Sequence, residues 1–431
     1  MPSSLSQRDK AVIWHPYTSQ KYAQEPIPIV KGEGSWLIDH KGNRFLDAIS
    51  SWWVTIHGHG HPYIAKRIYQ QALELEQVIF AGFTHQPAVE LAEKLLAALP
   101  GSFSKIFYSD NGSTATEVAI KMALQYWWNK GINKRKKILA LTNSYHGDTF
   151  GAMSVSGRSI FTSAFNDHLF DVLYTSVPDD ENGIMIQGHS KEQTKKLLEE
   201  CACVIYEPLV QGAGGMKMYS PEVLNNLITE CREHDIICIA DEVMTGFGRT
   251  GKMFASEYAT EKPDIICLSK GITGGTMALG ATACTRKIHE AFVDADPLKT
   301  FFHGHSFTAN PLACTAALAS LELFEQNDTI FSINAIATAN AQFIEKLSAE
   351  KPKLNISSCR HTGTIAAFEV DSSEQGYISE VKNRITTETM KHSVYLRPLG
   401  NTVYIMPPYC ITNEELNMIY DAIISAVDSL K

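Results

Sequence analysis

The sequence predicts an α/β protein built on a mostly parallel sheet, and three observations support this class. Strand-like and helix-like segments alternate through the middle of the chain. Apolar runs such as CACVIY at 201–206 and DIICL at 264–268 lack the alternation of a half-exposed strand, which fits strands buried on both faces. The chain has 431 residues, of which 44% are hydrophobic, so it can bury a large core.

The first predicted elements are a hairpin, a strand and a long helix. The stretch GSWLIDHKGNRFLDAIS at 34–50 has two short polar–apolar alternations around a central turn, which indicates a hairpin. A strand is predicted at 104–110. A helix follows, with Ser113 or Thr114 near its N-cap and Gly131 near its end.

The next segments repeat this strand–helix alternation. Residues 136–147 predict a strand and a turn, and residues 201–210 predict another strand. A helix is predicted at 220–235, because Ser, Pro and Glu stand in order at its start. Further buried strands are predicted at 236–243 and 264–269.

The two ends of the chain differ from the middle and predict a small second domain. Helical patterns after the central region are followed by strand-like runs at 363–370 and 401–409. We therefore predict a large α/β domain at 61–325, and a smaller α+β domain formed by residues 1–60 and 326–431.

Composition and charge exclude several classes of partner. The formal net charge of −9 disfavours a nucleic-acid surface. No apolar run approaches the roughly 20 residues that span a bilayer, so we expect no membrane segment. The nine cysteines are scattered and form no C-x-x-C motif, which favours a reducing compartment, and we expect a cytoplasmic protein.

The stretch GFGRTGK at 246–252 has the letters of two nucleotide-binding motifs, but its context fits neither. A P-loop requires Ser or Thr after the lysine to reach magnesium, and Met253 stands there. Both motifs should open a helix directly after a strand, whereas the following segment is weakly helical and is broken by Pro263. We reject both interpretations.

The stretch HGHGHP places His57, His59 and His61 two residues apart. On a strand these side chains would share a face and could bind a metal. Glycines alternate with the histidines and Pro62 ends the stretch, so a turn is favoured. We expect no metal site.

Chemically distinctive residues stand where four of the predicted strands end, and α/β folds bind ligands at such ends. The stretch SDNGSTATE at 109–117 exposes backbone N–H groups at a helix start, which favours a phosphate. Another strand end carries Tyr145 and His146, a third carries Asp241, and a fourth carries Lys270.

Taken together, these groups match the requirements of pyridoxal 5′-phosphate. A lysine amine forms a Schiff base with the cofactor aldehyde, and a carboxylate keeps the pyridine nitrogen protonated. An aromatic ring can stack on the cofactor, and burial can lower the pKa of the amine. Alone, Asp241 could be a capping carboxylate, Lys270 a solvated turn residue and Tyr145 a packing residue. The glycines after Lys270 are expected to leave room for movement.

The stretch IADEVMTGFGRTGKMFA, followed by PDIICLSKGITGG, resembles the class III, or ω-, pyridoxal-phosphate aminotransferases of fold type I. The resemblance implies that Lys270 forms the Schiff base and that Asp241 contacts the pyridine nitrogen. It also implies that Gly112 and Ser113 hold the phosphate and that Tyr145 stacks on the ring.

The resemblance further implies a homodimer with a shared active site. The stretch HGHSFTANPLAC at 303–314 resembles the family motif whose hydroxyl reaches the cofactor phosphate of the neighbouring subunit. Here Ser306 would supply that hydroxyl, where threonine is usual, and Gly304 would contact the substrate.

Further stretches, such as SSWWVTIHGHGHP and YLRPLGNTVYIMPPY, resemble the branch of the family that aminates 8-amino-7-oxononanoate in biotin synthesis. Tyr17, Trp52 and Trp53 would line an amphipathic pocket, Asp148 would meet an ammonium group and Arg397 would grip a carboxylate. The implied catalytic residues are Lys270, Asp241 and Tyr17. The implied substrate site comprises Tyr17, Trp52, Trp53, Tyr145, Asp148, Lys270, Gly304 and Arg397.

The amino donor and two other activities stay open. S-adenosylmethionine is the donor in most relatives and lysine in some, and His305 stands where many relatives have proline. Another class III aminotransferase, acting on ornithine or 4-aminobutyrate, is an alternative. An aminomutase or racemase on the same scaffold is a second alternative.

Overall fold

The computed structural model describes residues 4–178, 183–372 and 379–430. Its strands, in chain order, are β1 Ile29–Glu33, β2 Trp36–Asp39, β3 Arg44–Asp47, β4 Phe103–Ser109, β5 Lys137–Leu141, β6 Leu173–Thr175, β7 Cys201–Tyr206, β8 Val210–Gln211, β9 Lys217–Met218, β10 Ile237–Asp241, β11 Ile265–Leu268, β12 Gly280–Thr285, β13 Ile356–Thr362, β14 Ile365–Val370, β15 Val394–Tyr395 and β16 Thr402–Ile405.

Helices cover both faces of the largest sheet and much of the two chain ends. In chain order they are α1 Leu5–Val12, α2 Ser50–Trp53, α3 Pro62–Glu74, α4 Gln86–Ala98, α5 Gly112–Asn129, α6 Phe150–Val155, α7 Lys191–Leu198, α8 Pro221–Glu233, α9 Arg286–Glu290, α10 Pro311–Phe324, α11 Asn327–Ala349, α12 Lys351–Leu354, α13 Glu380–Lys391 and α14 Asn413–Asp428. None of these described helices combines the length and apolar character needed to cross a bilayer.

The central sheet has the strand order β4-β12-β11-β10-β7-β5-β6. Strands β11, β10, β7, β5 and β6 pair in parallel, and β12 runs antiparallel to both β11 and β4. The predicted mostly parallel α/β sheet is therefore confirmed. Because β4 runs in the same direction as β11, the carboxyl ends of β4, β5, β7, β10 and β11 lie at one edge.

The apolar strands of this sheet are buried on both faces, as their continuous hydrophobic runs predict. Every residue of β7, β10 and β11 is buried. On β10, Ile237 and Ile239 join the core that contains α5, whereas Cys238 and Ala240 join the core that contains α8. The alternating strand pleat thus divides one run between two cores.

Residues from the two chain ends share a second sheet. The predicted hairpin is present as β2 and β3, which pair antiparallel. Near the other end, Val394 and Tyr395 of β15 pair in parallel with Leu46 and Asp47 of β3. A third sheet, β13-β14-β16, lies entirely within the later segment. The predicted boundaries at residues 60 and 325 stay a prediction.

The start of α5 differs from the sequence prediction. Neither Ser113 nor Thr114 is the N-cap; Asn111 is, and its side chain accepts a hydrogen bond from the backbone N–H of Thr114. Gly112 therefore opens the helix. The hydroxyl of Thr114 in turn accepts from the Asn111 backbone, a reciprocal capping box that fixes the helix start. The predicted end near Gly131 is confirmed, since the helix finishes at Asn129.

The glycines after Lys270 are required by close packing rather than by free space. Gly274 and Gly275 have φ angles of 63° and 83°, in the left-handed region that favours glycine. A Cβ on Gly275 would lie 2.8 Å from backbone atoms of Val54 and Thr55. The expectation that these glycines leave room for movement is therefore wrong for Gly275, which holds two backbone segments together.

Candidate active site

Lys270 stands just beyond the carboxyl end of β11, as predicted. It adopts a φ of 48°, which is uncommon for a residue with a side chain and stores local strain at this position. Its Nζ lies 4.7 Å from the ring centroid of Trp53. Burial lowers the pKa of the amine, and the nearby carboxylates Asp241 and Glu207 oppose part of that shift. The site therefore favours an uncharged, nucleophilic amine.

Asp241 and His146 form a buried pair at the ends of β10 and β5. Asp241 Oδ2 lies 2.7 Å from His146 Nδ1, and Asp241 Oδ1 accepts a hydrogen bond from the Val243 backbone N–H at 3.0 Å. The side chain of His146 is 0% exposed and that of Asp241 is 5% exposed. These two partners fix the orientation of the carboxylate toward the cavity described below.

Glu207, which the sequence analysis did not assign, is a third buried acid at the same edge. It follows β7 and accepts hydrogen bonds from the backbone N–H groups of Tyr145 and Gly212, at 3.0 and 2.9 Å. Burial raises its pKa to about 7, and Asp241 contributes to the rise by repulsion. The strand-end rule that selected Asp241 would have found Glu207, which follows the apolar run CACVIY directly.

The first turn of α5 provides the expected anion site. The helix is 18 residues long, and its N-terminal amides carry the positive end of the helix dipole. A Cβ on Gly112 would lie 2.7 Å from Val243 Cγ1, so this position has little room for a side chain. The Ser113 hydroxyl accepts from the Asp148 backbone N–H at 3.1 Å and retains its own proton to donate.

These strand-end groups surround one cavity of about 660 Å³, which we call the cofactor cavity. Its lining includes Gly112, Ser113, Tyr145, Asp241 and Lys270. The structure thus brings together residues that the sequence analysis selected at the strand ends with two, Gly112 and Ser113, that the family resemblance singled out. An amine, a carboxylate, an aromatic ring and a helix N-terminus around a space of this size fit pyridoxal phosphate.

A smaller space of about 330 Å³, the front chamber, reaches the same lysine from another side. Tyr17, Trp52, Trp53 and Asp148 line it together with Lys270. The structure therefore groups these residues as predicted.

Aromatic and polar contacts order the front chamber. The Tyr17 hydroxyl donates to Asp148 Oδ2, lies 3.2 Å from the Tyr145 hydroxyl, and its ring lies 5.3 Å from that of Trp52. The guanidinium of Arg397 lies 4.9 Å from the Trp52 ring centroid, so the predicted carboxylate-binding residue stands beside the aromatic wall. Burial raises the pKa of Tyr145, which keeps its hydroxyl protonated.

Two predicted site residues lie apart from these spaces within the single chain. Gly304 and Ser306 are exposed and do not line the cofactor cavity or the front chamber. The Ser306 carbonyl accepts a hydrogen bond from Gln77 Nε2 at 2.6 Å. Their predicted contacts with the cofactor and the substrate stay predictions.

Residues of the two rejected motifs make hydrogen bonds within the protein. Arg249 of GFGRTGK is buried, and its guanidinium donates to the backbone carbonyls of Pro407 and Trp53, at 2.8 and 3.4 Å. His57 pairs with Ser320 and His59 with Asp47. Across residues 4–178, 183–372 and 379–430, no group of three His, Cys, Asp or Glu side chains could hold a metal.

Comparison with known proteins identifies the family. Residues 17–427 match the family model for class III aminotransferases. The chain therefore belongs to this family and is an aminotransferase, and its cofactor is pyridoxal 5′-phosphate.

The similar proteins include one biosynthetic enzyme from two distant sources. The chain is 46% identical to the adenosylmethionine-8-amino-7-oxononanoate aminotransferase of Synechococcus elongatus, over 97% of this chain and 99% of the relative. The crystal structure of the Methanocaldococcus jannaschii protein of the same name has a TM-score of 0.91 at 35% identity, covering 99% of this chain and 98% of that one.

A broader activity is represented among the structural neighbours. An amine transaminase from an uncultivated Pseudomonas species, crystallised in its pyridoxal-phosphate-bound form, has a TM-score of 0.88 at 30% identity. The match covers 97% of this chain and 99% of that one. The fold type I prediction is thus confirmed, and the fold alone does not select one amine substrate.

Proposed function

We propose that this chain transfers an amino group to 8-amino-7-oxononanoate, giving 7,8-diaminononanoate for biotin synthesis. The names and identities of the full-length relatives support this acceptor. The observation that carries the proposal is the juxtaposition of the cofactor cavity with the front chamber, which share Lys270, Trp53, Tyr145 and Asp148.

We assign the cofactor contacts to residues of the cofactor cavity. Lys270 Nζ would carry the aldehyde carbon, Asp241 would face the pyridine nitrogen and Tyr145 would cover the ring. The amides at Gly112 and Ser113, with the Ser113 hydroxyl, would hold the phosphate. When bound, the cofactor supplies an electron sink for the substrate carbon that loses a proton.

Lys270 acts as the proton carrier. Its amine would take the proton that the donor carbon loses and hold it for return, because burial lowers the pKa of this amine and so favours the uncharged form. The cavity walls, including Trp53, exclude water around this amine. His146 holds Asp241 in place through the 2.7 Å hydrogen bond, so the carboxylate can keep the opposing nitrogen charged.

The acceptor has an amine and a carboxylate at opposite ends of an apolar chain. The Trp52 and Trp53 rings suit the chain, and the Arg397 guanidinium suits the carboxylate. Tyr17 and Asp148, joined by a hydrogen bond, suit the ammonium group next to the ketone. All three binding requirements are met by residues in or beside the front chamber.

We further propose a cytoplasmic homodimer with S-adenosylmethionine as amino donor. Ser306 and Gly304 would complete the neighbouring subunit's site, because both are exposed and remote from the cavity of their own chain. The acidic net charge of −9 supports the expectation of no nucleic-acid partner.

The test is an assay of the amino-loaded enzyme with each acceptor. Incubation with 8-amino-7-oxononanoate is expected to produce 7,8-diaminononanoate, identified by mass, and the Lys270→Ala variant should give none. Amination of 2-oxoglutarate by ornithine or 4-aminobutyrate, with no reaction of 8-amino-7-oxononanoate, would replace the proposal with the broader ω-aminotransferase activity. Turnover of one substrate without any acceptor would indicate a mutase or racemase.

A further inference from the structure

Two adjacent tryptophans line the front chamber, an arrangement that regular secondary structure does not favour. Trp52 and Trp53 both contribute to the wall of this space. In a strand, neighbouring side chains point to opposite faces, and in a helix they are turned about 100° apart. The backbone that brings both rings to one chamber is therefore expected to be irregular.

The backbone at this point is strained. Ser50, Ser51 and Trp53 have φ angles of 52°, 60° and 69°, in the left-handed region that residues with side chains rarely adopt. Ser51 combines its φ of 60° with a ψ of −90°, which is close to a rare and strained form of γ-turn. Such strain persists only where surrounding contacts impose it, so contacts around Ser51 must compensate for its cost.

The carboxylate of Asp47 supplies these contacts. Asp47 ends β3, and its side chain is 0% exposed. Its Oδ1 accepts a hydrogen bond from the Ile49 backbone N–H at 3.1 Å, and its Oδ2 accepts from the Ser51 backbone N–H at 2.6 Å. The Ser51 hydroxyl donates to the same Oδ2 at 3.4 Å. One carboxylate thus holds the strained residue that directly precedes Trp52.

His59 fixes this carboxylate from the other side. Its Nε2 lies 2.9 Å from Asp47 Oδ2, and this nitrogen donates the proton because an ionised carboxylate only accepts. The backbones of His59 and Gly34 exchange two hydrogen bonds, at 2.7 and 3.2 Å. A Cβ on Gly32 would lie 2.5 Å from the His59 Cβ, so the histidine packs closely against β1. The pair therefore connects the strained segment to the sheet that contains β1 and β3.

The two tryptophans differ in how their rings are held. Trp53 has an anchor of its own, since its Nε1 donates to the Tyr404 hydroxyl at 2.9 Å. Trp52 is 40% exposed, and its ring contacts Tyr17 and the Arg397 guanidinium at the chamber wall. The position of the Trp52 ring therefore depends more strongly on the backbone that carries it.

We propose that Asp47, held by His59, is a positioning residue that sets the Trp52 ring in the wall of the front chamber. The inference rests on the proposed function for its choice of acceptor, because the ring lies on the path assigned to the apolar chain of that substrate. Asp47 itself lines neither the cofactor cavity nor the front chamber. It acts through the Ser51 backbone and not by contact with substrate.

The chain offers a matched pair of variants to test this role. Asp47→Asn keeps the shape of the side chain and removes one of its two accepting oxygens. Asp39→Asn is the control, because Asp39 is also a buried carboxylate that ends a strand of the same sheet. Its Oδ1 accepts from the backbone N–H groups of Lys41 and Asn43, at 2.8 and 2.9 Å, and so holds the β2–β3 turn. Only Asp47→Asn should displace Trp52.

Single-turnover absorbance measurements on the amino-loaded enzyme give the concentration of 8-amino-7-oxononanoate at half-maximal rate. Asp47→Asn should raise this concentration about tenfold and keep the maximal rate within about threefold of wild type, because Trp52 binds the chain and not the reacting carbon. Asp39→Asn should match wild type. In a Trp52→Ala background, Asp47→Asn should have no further effect, since the ring through which it acts is missing. The same tenfold effect with and without Trp52 would overturn the inference.

Fluorine NMR reports the ring position directly and needs no substrate. The chain has six tryptophans, each of which should give one resonance after incorporation of 5-fluorotryptophan, and Trp52→Ala assigns that of Trp52. Asp47→Asn should shift or broaden the Trp52 resonance, whereas Asp39→Asn should leave it in place. If Asp47→Asn does not fold, His59→Leu serves instead, with a shift of the same resonance and about threefold more acceptor at half-maximal rate. An unchanged Trp52 resonance in the folded variant would overturn the inference.

The inference and the proposed function fail in different ways. A wild-type enzyme that aminates 8-amino-7-oxononanoate, with a Trp52 resonance that does not respond to Asp47→Asn, overturns only the positioning role. Conversely, a wild-type enzyme that does not aminate this acceptor, with a Trp52 resonance that responds to Asp47→Asn and not to Asp39→Asn, overturns the proposed acceptor and supports the positioning role.

Discussion

Asp241 gains its function from its neighbours as much as from its own carboxylate. A buried acid left without partners would take up a proton, because a charge in an apolar environment is costly. Here His146 Nδ1 and the Val243 backbone N–H both donate to it. These two donors hold the carboxylate in the orientation in which we propose that it meets the pyridine nitrogen. From the sequence, Asp241 and His146 are predicted to be neighbours only by the rule that the carboxyl ends of parallel strands meet at one edge of the sheet.

Replacement of Asp241 by asparagine tests this electrostatic role. Asp241→Asn should slow both half-reactions by about 100-fold, since a charge-assisted hydrogen bond of about 3 kcal/mol is lost while the side-chain shape is kept. Stopped-flow absorbance gives the two rates. Cofactor content, measured by release in alkali, should remain near one per chain. Unchanged rates in Asp241→Asn would show that this carboxylate does not face the cofactor nitrogen.

His57 is predicted to be a structural residue with a marked pH dependence. Burial lowers its pKa from 6.5 to about 3, and it pairs with Ser320 at 3.0 Å. Between these pH values the unfolded chain binds a proton that the folded chain does not. His57 therefore leaves the free energy of unfolding unchanged above about pH 6.5. Below that pH, the free energy of unfolding falls by about 1.4 kcal/mol for each pH unit.

Urea unfolding of His57→Gln checks this prediction. The variant should lose less stability than wild type between pH 7 and pH 5.5, because glutamine does not titrate. His189→Gln, at an exposed histidine, serves as the control and should follow wild type. The same slope in His57→Gln and wild type would assign the acid sensitivity to other groups.

At the scale of elements, the positions of the chemical groups follow from strand direction. The apolar runs predicted β4, β5, β7, β10 and β11, and parallel pairing brings their ends together. This is why Tyr145, Asp241, Lys270 and the phosphate-binding stretch at 109–117 could be predicted to lie together, whereas Gly112 and Ser113 within that stretch were singled out by the family resemblance. Glu207 also lies at one of these strand ends. It was missed because the sequence analysis did not consider the residue that follows β7 as a candidate site residue.

Details that depend on packing between distant segments could not be predicted in the same way. The N-cap of α5 is Asn111, and not Ser113 or Thr114 as predicted, because the Asn111 side chain reaches the Thr114 N–H. Asn, Ser and Thr are all favoured at N-caps, so residue type alone could not choose among them. Arg249 stood in a nucleotide-like pattern, yet its partners are the carbonyls of Trp53 and Pro407, far away in sequence. Sequence patterns report local structure better than such long-range contacts.

The segment after Lys270 provides a prediction at this scale. Gly275→Ala should destabilise the protein and lower activity, because its Cβ would meet the backbone of Val54 and Thr55 at 2.8 Å. Gly131→Ala is the matched control: its φ is also positive, at 72°, and it has nothing within 4 Å of the added Cβ. Each substitution should lower the free energy of unfolding by about 1–2 kcal/mol, because alanine disfavours the left-handed backbone conformation.

The difference between the two variants isolates the contact. Urea unfolding should place Gly275→Ala at least about 1 kcal/mol below Gly131→Ala, by analogy with overpacked cores. Activity should fall only in Gly275→Ala, since Trp53 and Lys270 flank this contact. Equal losses of stability and full activity in both variants would show that the contact relaxes freely.

At the scale of the whole molecule, the proposed site includes a second copy of the chain. Ser306 is exposed and does not line the cofactor cavity of its own chain, so the phosphate contact that we propose for it would be made across an interface. Sedimentation should therefore show a dimer. Ser306→Ala should weaken cofactor binding by about tenfold, because a hydrogen bond to a charged group is worth about 1.5 kcal/mol or more.

The conservative variant distinguishes this role from a general loss of structure. Ser306→Thr keeps the hydroxyl and should restore cofactor affinity, measured by fluorescence titration, to nearly the wild-type value. A monomer with full activity, or equal affinities in Ser306→Ala and wild type, would contradict the shared site.

The account depends most directly on a covalent link between Lys270 and the cofactor. Reduction of the purified enzyme with borohydride, followed by proteolysis and peptide mass measurement, locates that link. We predict one pyridoxyl-phosphate adduct per chain, on Lys270, and none in the Lys270→Ala variant. An adduct on another lysine, or none after incubation with pyridoxal phosphate, would contradict the account.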